Sequence, residues 1–511
     1  MAEYVIGYDL GTGGLRAGIY DFQGNEIAFA STEYETFYRH SGWAEQKPDD
    51  WWKAFAEATA EAVRKAGIDK SEIIALSYDV TCCSVMLCRK DGTPLRDCVM
   101  WMDVRASKEA EDIKNTNDEA LKFNGYGNVS AEWMPCKALW LKRNERDLYD
   151  QADVVCECAD WITYKLTGKW TANLSETAIR WYYDSRNGGF QRSLYEKIGL
   201  EDVLDKFPKE MHSIGDSLGN ISPEAAEFLG LSENTLVAQG GTDAYIGILG
   251  LGATDAGKVA LITGSSHLIM CLTDQYHYSR RSYFGPFPDC VLKGLGVVEG
   301  GQTSSGSIVK WFKNNFCKDL ESNGGNAYRT LNEEAAKIEP GADGLIVLDW
   351  WQGNRTPYTD SQIRGMIYGL SLEHTQAHLF RAIMEGVAFG TENVFRSFRD
   401  DGYEVNDIYM GGGTTNSDLF MQIHADVSNV VIHVPSNPQS CVLGSAILAA
   451  FAAGKFGSIP EAAGSMVHYA KEVRPDPENH EKYQRIFAQY AKAYEECGDW
   501  MHETTRTLKN V

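Results

Sequence analysis

The sequence predicts an α/β protein made of two large domains with a cleft between them. Its 511 residues are too many for a single hydrophobic core. Strand–turn–strand units of the same kind begin at Tyr4 and again at Lys258, about halfway along the chain. We therefore expect one domain at residues 1–252 and a second at residues 253–511.

Composition and charge narrow the functional class. A hydrophobic content of 43% and a charged content of 23% are typical of a globular protein. The net charge of −23 argues against nucleic acid as a partner, because such binding needs clustered lysine and arginine. The 12 cysteines include no CxxC pair, so we expect free thiols and a cytoplasmic location. The longest apolar stretch, Cys441–Gly454, is short for a membrane span, and we expect no membrane association.

The chain is predicted to begin with a β-hairpin. Tyr4–Tyr8 and Leu15–Tyr20 alternate as strands around the glycine-rich turn Gly11–Gly14. Backbone N–H groups at such a turn can approach an anion without a Cβ in the way, and Asp9 just before it can face a metal ion. An ordinary hairpin turn is the alternative interpretation.

An aromatic ring, a carboxylate and a guanidinium stand together in Val99–Arg105 (VMWMDVR). Strands are predicted on either side of Asp79–Cys82, at Ile73–Ser77 and Val85–Cys88. An aromatic floor beside charged groups suits the hydroxyls of a polyol. The alternative is a half-buried core aromatic, Trp101, next to a surface ion pair. The predicted helices here are Asp49–Ala66, Trp133–Asn144 and Ala159–Leu166, and Thr171–Trp181 is predicted as a loop or ribbon.

The stretch Val237–Gly252 (VAQGGTDAYIGILGLG) places Asp243 at a turn between a strand and a helix, facing the cleft. There a carboxylate of ordinary pKa, about 4, can accept a proton from a hydroxyl. The alternative is a tight turn in which Asp243 only complements the helix dipole.

A second hairpin is predicted after this turn, with Lys258–Thr263 and His267–Leu272 around Gly264–Ser266. Two like units facing each other across a cleft, each with a turn that can bind phosphate, describe an actin-like ATPase core. The further predicted elements are helices Ser307–Phe316, Ala327–Ile338, Leu372–Phe395, Leu443–Ala453 and Asn479–Trp500, and strands Gly344–Leu348 and Val430–Val434.

A triple glycine, Gly411–Gly413, follows the predicted strand Asp407–Met410. A helix is expected to begin near Asn416, a good N-cap residue. The glycines are either a strand-to-helix turn with positive φ or a surface on which adenine and ribose lie against the backbone. With two phosphate-binding turns already predicted, we favour the second interpretation.

Six stretches of the chain resemble the FGGY carbohydrate kinases. In order they are GYDLGTGGLRAGIYDFQGNEIA at the N-terminus, GWAEQKPDDWW at Gly42–Trp52, WMDVRA at Trp101–Ala106, GGTDAYIG at Gly240–Gly247, RGMIYGLSLEHTQAHLFRAIMEGVAFG at Arg364–Gly390 and GGGTTNSDLFMQIHADV at Gly411–Val427. Their order and spacing over nearly the full length make the resemblance specific. It implies two ribonuclease-H-like, actin-like ATPase domains that hold ATP and a sugar in the cleft between them.

The resemblance also implies roles for individual residues. Asp243 looks like the catalytic base and, together with Asp9, like a carboxylate that serves Mg²⁺. The implied nucleotide contacts are Gly11, Thr12 and Gly13 in the first phosphate turn, Thr263 and Gly264 in the second, and Gly411, Gly412, Gly413 and Asn416 under the adenosine. Thr415 stands where the family often has Lys or Arg.

Within the family, the chain is most similar to the ribulokinase branch. The similar stretches are SYDVTCCSV at Ser77–Val85, WMDVRA, SAEWMPCKALWLK at Ser130–Lys142 and VLDWWQGNRTP at Val347–Pro357. The implied sugar contacts are Thr81, Cys82, Trp101, Asp103, Arg180, Asp243 and Glu299. Val104 replaces a His that many members carry, which allows an unusual stereoisomer or a four-carbon substrate.

These observations lead to a functional hypothesis. We expect phosphate transfer from MgATP to a primary hydroxyl of a ketopentose, with ribulose as the first candidate, by a homo-oligomer, specifically a dimer. The alternatives are an FGGY kinase for xylulose, erythritol, ribitol or glycerol, a non-metabolic actin-like ATPase, and a sugar-responsive regulator without activity. The intact Asp9 and Asp243 argue against the regulator.

Overall fold

The computed structural model describes residues 3–280, 283–321 and 326–509, and within them two seven-stranded sheets organise the two halves of the chain. The order in the first sheet is Ser217–Asn220, Leu236–Ala238, Ile73–Val80, Tyr4–Gly11, Gly14–Tyr20 and Glu26–Glu33, with Gly241–Thr242 also pairing with Ile73–Val80. The order in the second sheet is Phe284–Pro288, Gly296–Gln302, His267–Thr273, Lys258–Thr263, Asp407–Gly412, Val431–Pro435 and Tyr469–Val473.

The two sheets are built alike. Each contains an antiparallel hairpin, which we call the first hairpin (residues 4–20) and the second hairpin (residues 258–273). The leading strand of each hairpin also pairs in parallel with a later strand, Ile73–Val80 in the first half and Asp407–Gly412 in the second. The predicted repeat of a hairpin unit and the predicted α/β class are confirmed.

Helices and small sheets complete the two halves. The helices of the first half are Pro48–Ala66, Ser107–Asn115, Met134–Asn144, Arg146–Gln151, Cys158–Thr167, Leu174–Arg180, Arg192–Lys197, Val203–Lys206, Pro223–Leu229 and Asp243–Leu251. Those of the second half are Gly306–Phe316, Ala327–Ala335, Gln376–Asp400, Asp418–Ser428, Ser440–Ala452, Ile459–Met466 and Pro477–Lys509. One small sheet has four strands, in the order Glu45–Gln46, Cys98–Val99, Val85–Cys88 and Val154–Glu157. Three further sheets have two strands each: Thr171–Asn173 with Glu210–His212, Tyr183–Asp184 with Gly189–Phe190, and Ile346–Leu348 with Met366–Tyr368. Among the described residues, no helix has both the length and the apolar character needed to cross a membrane.

Two helices, Asp243–Leu251 and Ser440–Ala452, one from each half of the chain, pack closely against each other. The approach depends on glycine, because a Cβ on Gly250 would lie 1.8 Å from the carbonyl oxygen of Ser440. On the other helix, a Cβ on Gly444 would lie 2.3 Å from the carbonyl oxygen of Ile246. This packing fixes the helix whose first residue is Asp243.

Several element boundaries differ from the sequence-based predictions. Thr375 caps a helix predicted to start at Leu372, because its side chain and that of His378 form a reciprocal capping box. The Ser417 side chain, not that of Asn416, caps the next helix by accepting a hydrogen bond from Phe420 N–H. Part of the predicted loop at 171–181 is helical, Leu174–Arg180, with Asn173 as its N-cap.

The C-terminal helix Pro477–Lys509 packs on the second half. Tyr483, Phe487 and Tyr490 are buried in the same cluster as Phe389. The aromatic stripe of this helix is therefore part of the hydrophobic core.

Candidate active site

Three aspartates come together where adjacent strands of the first sheet end. Asp9 lies directly beside Asp79 in the parallel pairing of their strands, and Asp79 in turn lies beside Gly241. Asp243 follows Gly241 by two positions and is the first residue of its helix. Because the carboxyl ends of parallel strands meet at one edge of a sheet, carboxylates distant in sequence are neighbours here.

Asp243 is partly exposed. Its Oδ1 accepts a hydrogen bond of 2.7 Å from the N–H of Ala244. Burial, and then the negative charge of Asp9, raise the pKa of Asp243 from 3.8 to about 7. The expectation of an ordinary pKa for Asp243 is therefore wrong. A pKa of about 7 suits a general base, because a base works best when its pKa lies near the working pH.

Asp79 is a carboxylate that the sequence analysis did not assign to the site. It is fully buried, and its Oδ2 accepts a hydrogen bond of 2.8 Å from the hydroxyl of Ser445. Its Oδ1 has no hydrogen-bond partner among the described residues. Burial, and then the charges of Asp9 and Asp243, raise its pKa. The sequence shows only that Asp79 follows the apolar predicted strand Ile73–Ser77.

The carboxylates fit a divalent cation. Asp9, Asp79 and Cys441 offer ligand atoms that all lie within 4.8 Å of one another. Mg²⁺ prefers carboxylate oxygens and water, and the unpartnered Oδ1 of Asp79 is a buried oxygen that still needs a partner. Arg16 balances part of the charge, with its guanidinium 2.5 Å from Asp9 Oδ2.

The tip of the first hairpin lies next to the predicted sugar-binding loop. The carbonyl of Thr12 accepts a hydrogen bond of 2.7 Å from the Gln46 side chain. The hydroxyl of Thr12 accepts one of 2.9 Å from Nε1 of Trp101, whose side chain is 37% exposed. Gly13 has open space around the position of a Cβ. The tip of this turn is therefore open at Gly13, and the indole of Trp101 is held beside it at Thr12.

The second hairpin and the triple glycine form one surface. Thr263 pairs with Gly412 across the parallel strands, and the Thr263 hydroxyl donates a hydrogen bond of 2.9 Å to the carbonyl of Gly411. Gly412 has a φ of +108°, and a Cβ there would lie 1.9 Å from the carbonyl oxygen of Thr263. Only glycine suits this close, left-handed backbone.

A cavity of about 1080 Å³ opens from this surface. Its lining includes Gly264 of the second hairpin and Gly413 and Asn416 after the triple glycine. Its volume lies just above the range for small-molecule sites, about 300–1,000 Å³. The lining residues that the sequence did not reveal come from four helices; those from helices Gly306–Phe316 and Ala327–Ala335 include Lys310, Trp311, Asn315, Tyr328 and Asn332.

The other predicted sugar contacts of the first half fall into two groups. Thr81 is buried and Cys82 half-buried in the turn after strand Ile73–Val80. Asp103 is fully buried, and its Oδ2 accepts hydrogen bonds from Ala44 N–H at 2.6 Å and from the Arg105 guanidinium at 2.7 Å. The buried carboxylate of Asp103 therefore stabilises the Trp101 loop through these hydrogen bonds.

Arg180 and Glu299 join the two halves of the molecule. The guanidinium of Arg180 lies 2.7 Å from Glu299 Oε2, to which the hydroxyl of Tyr245 also donates, at 2.6 Å. Glu299 Oε1 accepts a further hydrogen bond of 2.9 Å from Arg355, which the sequence analysis did not single out. Burial would raise the pKa of Glu299, but the charges of Arg180 and Arg355 outweigh it and lower the pKa. Glu299 is therefore an ionised group shared by both halves.

Known proteins resemble this chain over most of its length. Residues 4–250 match the N-terminal domain of the FGGY family of carbohydrate kinases, and residues 259–453 match its C-terminal domain. A ribulokinase of Anoxybacillus flavithermus is 30% identical over 549 aligned residues, which cover 99% of this chain and 97% of that protein. A human FGGY carbohydrate kinase domain-containing protein is 29% identical, covering 98% and 97%. The crystal structure of a xylulose kinase from Rhodospirillum rubrum superimposes with a TM-score of 0.88 at 26% identity, covering 98% of this chain and 100% of that one. The chain thus belongs to the FGGY family of carbohydrate kinases, with the two-domain, actin-like fold of that family.

Proposed function

We propose that this ATP-dependent carbohydrate kinase phosphorylates a primary hydroxyl of a ketopentose, with ribulose as the first candidate. One observation carries the proposal. Asp243, a partly exposed carboxylate of raised pKa, lies beside Asp9 at the mouth of the first hairpin. Similarity to ribulokinases along 99% of the chain supports the choice of sugar.

In this proposal the two hairpins hold the triphosphate. Gly11, Thr12 and Gly13 contact it from the first half, and Thr263 and Gly264 contact it from the second. The adenosine lies in the large cavity, against Gly411, Gly412 and Gly413 and beside Asn416. Asp9, Asp79 and Asp243 would hold Mg²⁺, which when bound neutralises charge on the transferring phosphate.

The sugar is proposed to lie between the Trp101 loop and the Arg180–Glu299 pair. Cys82 and Thr81 contact it from the turn after their strand, and the ionised Glu299 accepts hydrogen bonds from its hydroxyls. Asp103 acts indirectly by holding the Trp101 loop. Asp243 accepts the proton of the attacking hydroxyl, and alignment of the two substrates supplies the rest of the rate enhancement.

The test is an ADP-release screen over both enantiomers of ribulose and xylulose, with erythritol, ribitol and glycerol. We expect one ketopentose to give the highest kcat/KM and a product phosphorylated at a primary carbon by phosphorus NMR. A preference for xylulose or for a four-carbon polyol would overturn the choice of ribulose. ADP release at the same rate without any sugar would indicate an actin-like ATPase and overturn the whole proposal.

Two further predictions belong with this proposal. We expect a homodimer, and light scattering coupled to size-exclusion chromatography would measure its molar mass. A cytoplasmic location is expected as well, and cell fractionation measures it.

A further inference from the structure

A buried lysine joins the two loops that carry the proposed sugar contacts. Lys137, on helix Met134–Asn144, is 1% exposed. Its ammonium donates hydrogen bonds to the carbonyl oxygens of Cys83 and Met100, both at 2.6 Å, and of Trp101 at 3.3 Å. None of these acceptors is a carboxylate, although the buried carboxylate of Glu157 lies close enough for the charge of Lys137 to lower its pKa against the larger effect of burial. Lys137 thus directs all three hydrogen bonds to backbone carbonyls of two loops, and its position fixes their backbone.

The turn that Lys137 holds has an unusual backbone. Cys83 has a φ of +58°, in the left-handed region that a residue with a Cβ rarely adopts. Its carbonyl is fixed by Lys137, and its N–H is fixed by the buried carboxylate of Glu157, which also accepts a hydrogen bond from Trp181 Nε1. Strained conformations persist where the surroundings determine them from both sides, and they concentrate at ligand sites.

The strained turn and the Trp101 loop present the exposed parts of the proposed sugar site. Cys82 precedes Cys83 and is half-buried, and Trp101 follows Met100 and is 37% exposed. Lys137 therefore links the backbone next to Cys82 to the backbone at Trp101, and its hydrogen bonds go to carbonyl oxygens, not to either side chain. It is also absent from the lining of the nucleotide-sized cavity.

We propose that Lys137, with Glu157, is a positioning residue that sets the sugar selectivity of this kinase by fixing the Cys82 turn against the Trp101 loop. This inference rests on the proposed function in that it takes Cys82 and Trp101 as sugar contacts. It assigns selectivity to two residues that need not touch the sugar.

The test compares Lys137→Met with a matched control on the same helix. Lys142 also donates to a carbonyl, that of Gly199 at 2.7 Å, and to Asp202 at 2.6 Å, but it joins no predicted sugar contact. In Lys137→Met we expect the KM for the preferred sugar to rise about tenfold or more, and the preference over the second-best sugar to fall by a similar factor. The KM for ATP should stay within about twofold, and Lys142→Met should change neither constant.

A second variant and a structure keep the inference testable if Lys137→Met folds poorly. Glu157→Gln keeps the side-chain shape, but its amide has only one oxygen to accept the hydrogen bonds from Cys83 N–H and Trp181 Nε1. It should therefore raise the sugar KM and leave the ATP KM unchanged. A crystal structure of either variant should show Cys83 at negative φ and a changed Cys82–Trp101 spacing. An unchanged sugar KM and preference in both variants, or loss of sugar and ATP affinity together, would overturn the inference. If the wild-type protein phosphorylates no sugar, the proposed function fails. The positioning role of Lys137 is then tested only by the φ of Cys83 in the crystal structures of the variants.

Discussion

Replacing Asp243 by Asn should remove catalysis and at the same time stabilise the free protein at neutral and alkaline pH. Burial and the charge of Asp9 raise the pKa of Asp243 from 3.8 to about 7. One pKa unit corresponds to ~1.4 kcal/mol, so ionising this group in the folded protein costs at most ~4 kcal/mol. Because the side chain is partly exposed, solvent screening should reduce this to ~2 kcal/mol.

The direction of the pH dependence follows from the raised pKa. The folded protein keeps the proton of Asp243 to a higher pH than the unfolded chain does. The free energy of unfolding therefore falls as the pH rises from about 4 to about 7, because the folded protein must then ionise Asp243. Above about pH 7 this effect no longer changes with pH. Asn does not titrate, so the melting temperature of the variant relative to wild type should rise by a few degrees over that interval.

The assay combines thermal melting from pH 4 to 9, without nucleotide or metal, with ADP release and MgATP binding. We expect kcat to fall by a factor of about 10² to 10⁴ while MgATP still binds. Asp205→Asn, at an exposed position of helix Val203–Lys206, serves as the matched control and should change neither property. Near-normal turnover in Asp243→Asn would refute its role as the base. A melting difference independent of pH would refute the raised pKa.

Three further predictions concern the cleft. Trp101→Phe loses the hydrogen bond to the Thr12 hydroxyl and should raise the sugar KM by about three- to tenfold in steady-state kinetics, with little change in melting temperature. Gly412→Ala would place a Cβ 1.9 Å from the Thr263 carbonyl, and it should therefore lower the melting temperature and the affinity for MgADP. Gly464→Ala is the control, because Gly464 has open space around it, and it should lower neither. Chelation with EDTA should abolish ADP release, and excess Mg²⁺ or Mn²⁺ should restore it; activity that survives chelation would contradict the proposed metal site.

The parts of the site that lie within a short stretch of sequence were predictable. Both hairpins and the turn before Asp243 are local patterns of strands and glycines, and the structure contains all three. That they meet in one cleft stays a prediction, made from the repeat of the hairpin unit, which places a glycine-rich turn in each half. The resemblance of spaced motifs then identified the family.

The contacts that depend on register between distant segments were not predictable. Asp79 joins the site only because its strand pairs with that of Asp9, about 70 positions earlier. Arg355 reaches Glu299 from a loop whose path no local pattern specifies. The raised pKa of Asp243 likewise depends on burial, which is a property of the assembled fold.

The helix start near Asn416 shows a smaller failure of the same kind. Asn416 and Ser417 are both good N-cap residues, and sequence alone does not separate them. Asn416 instead donates a hydrogen bond of 3.0 Å to the carbonyl of Gly413, within a short 3₁₀ turn. This turn lets Asn416 line the large cavity.

A crystal structure with the preferred sugar and a non-hydrolysable ATP analogue would show whether Asp243 meets the hydroxyl that is phosphorylated. We expect a carboxylate oxygen of Asp243 to lie about 2.6–3.2 Å from a primary hydroxyl of the sugar. That hydroxyl should lie about 3–3.5 Å from the terminal phosphorus, with the phosphate between the two hairpin turns. A sugar bound with no hydroxyl in reach of Asp243, or a triphosphate that touches only one of the turns, would contradict the account.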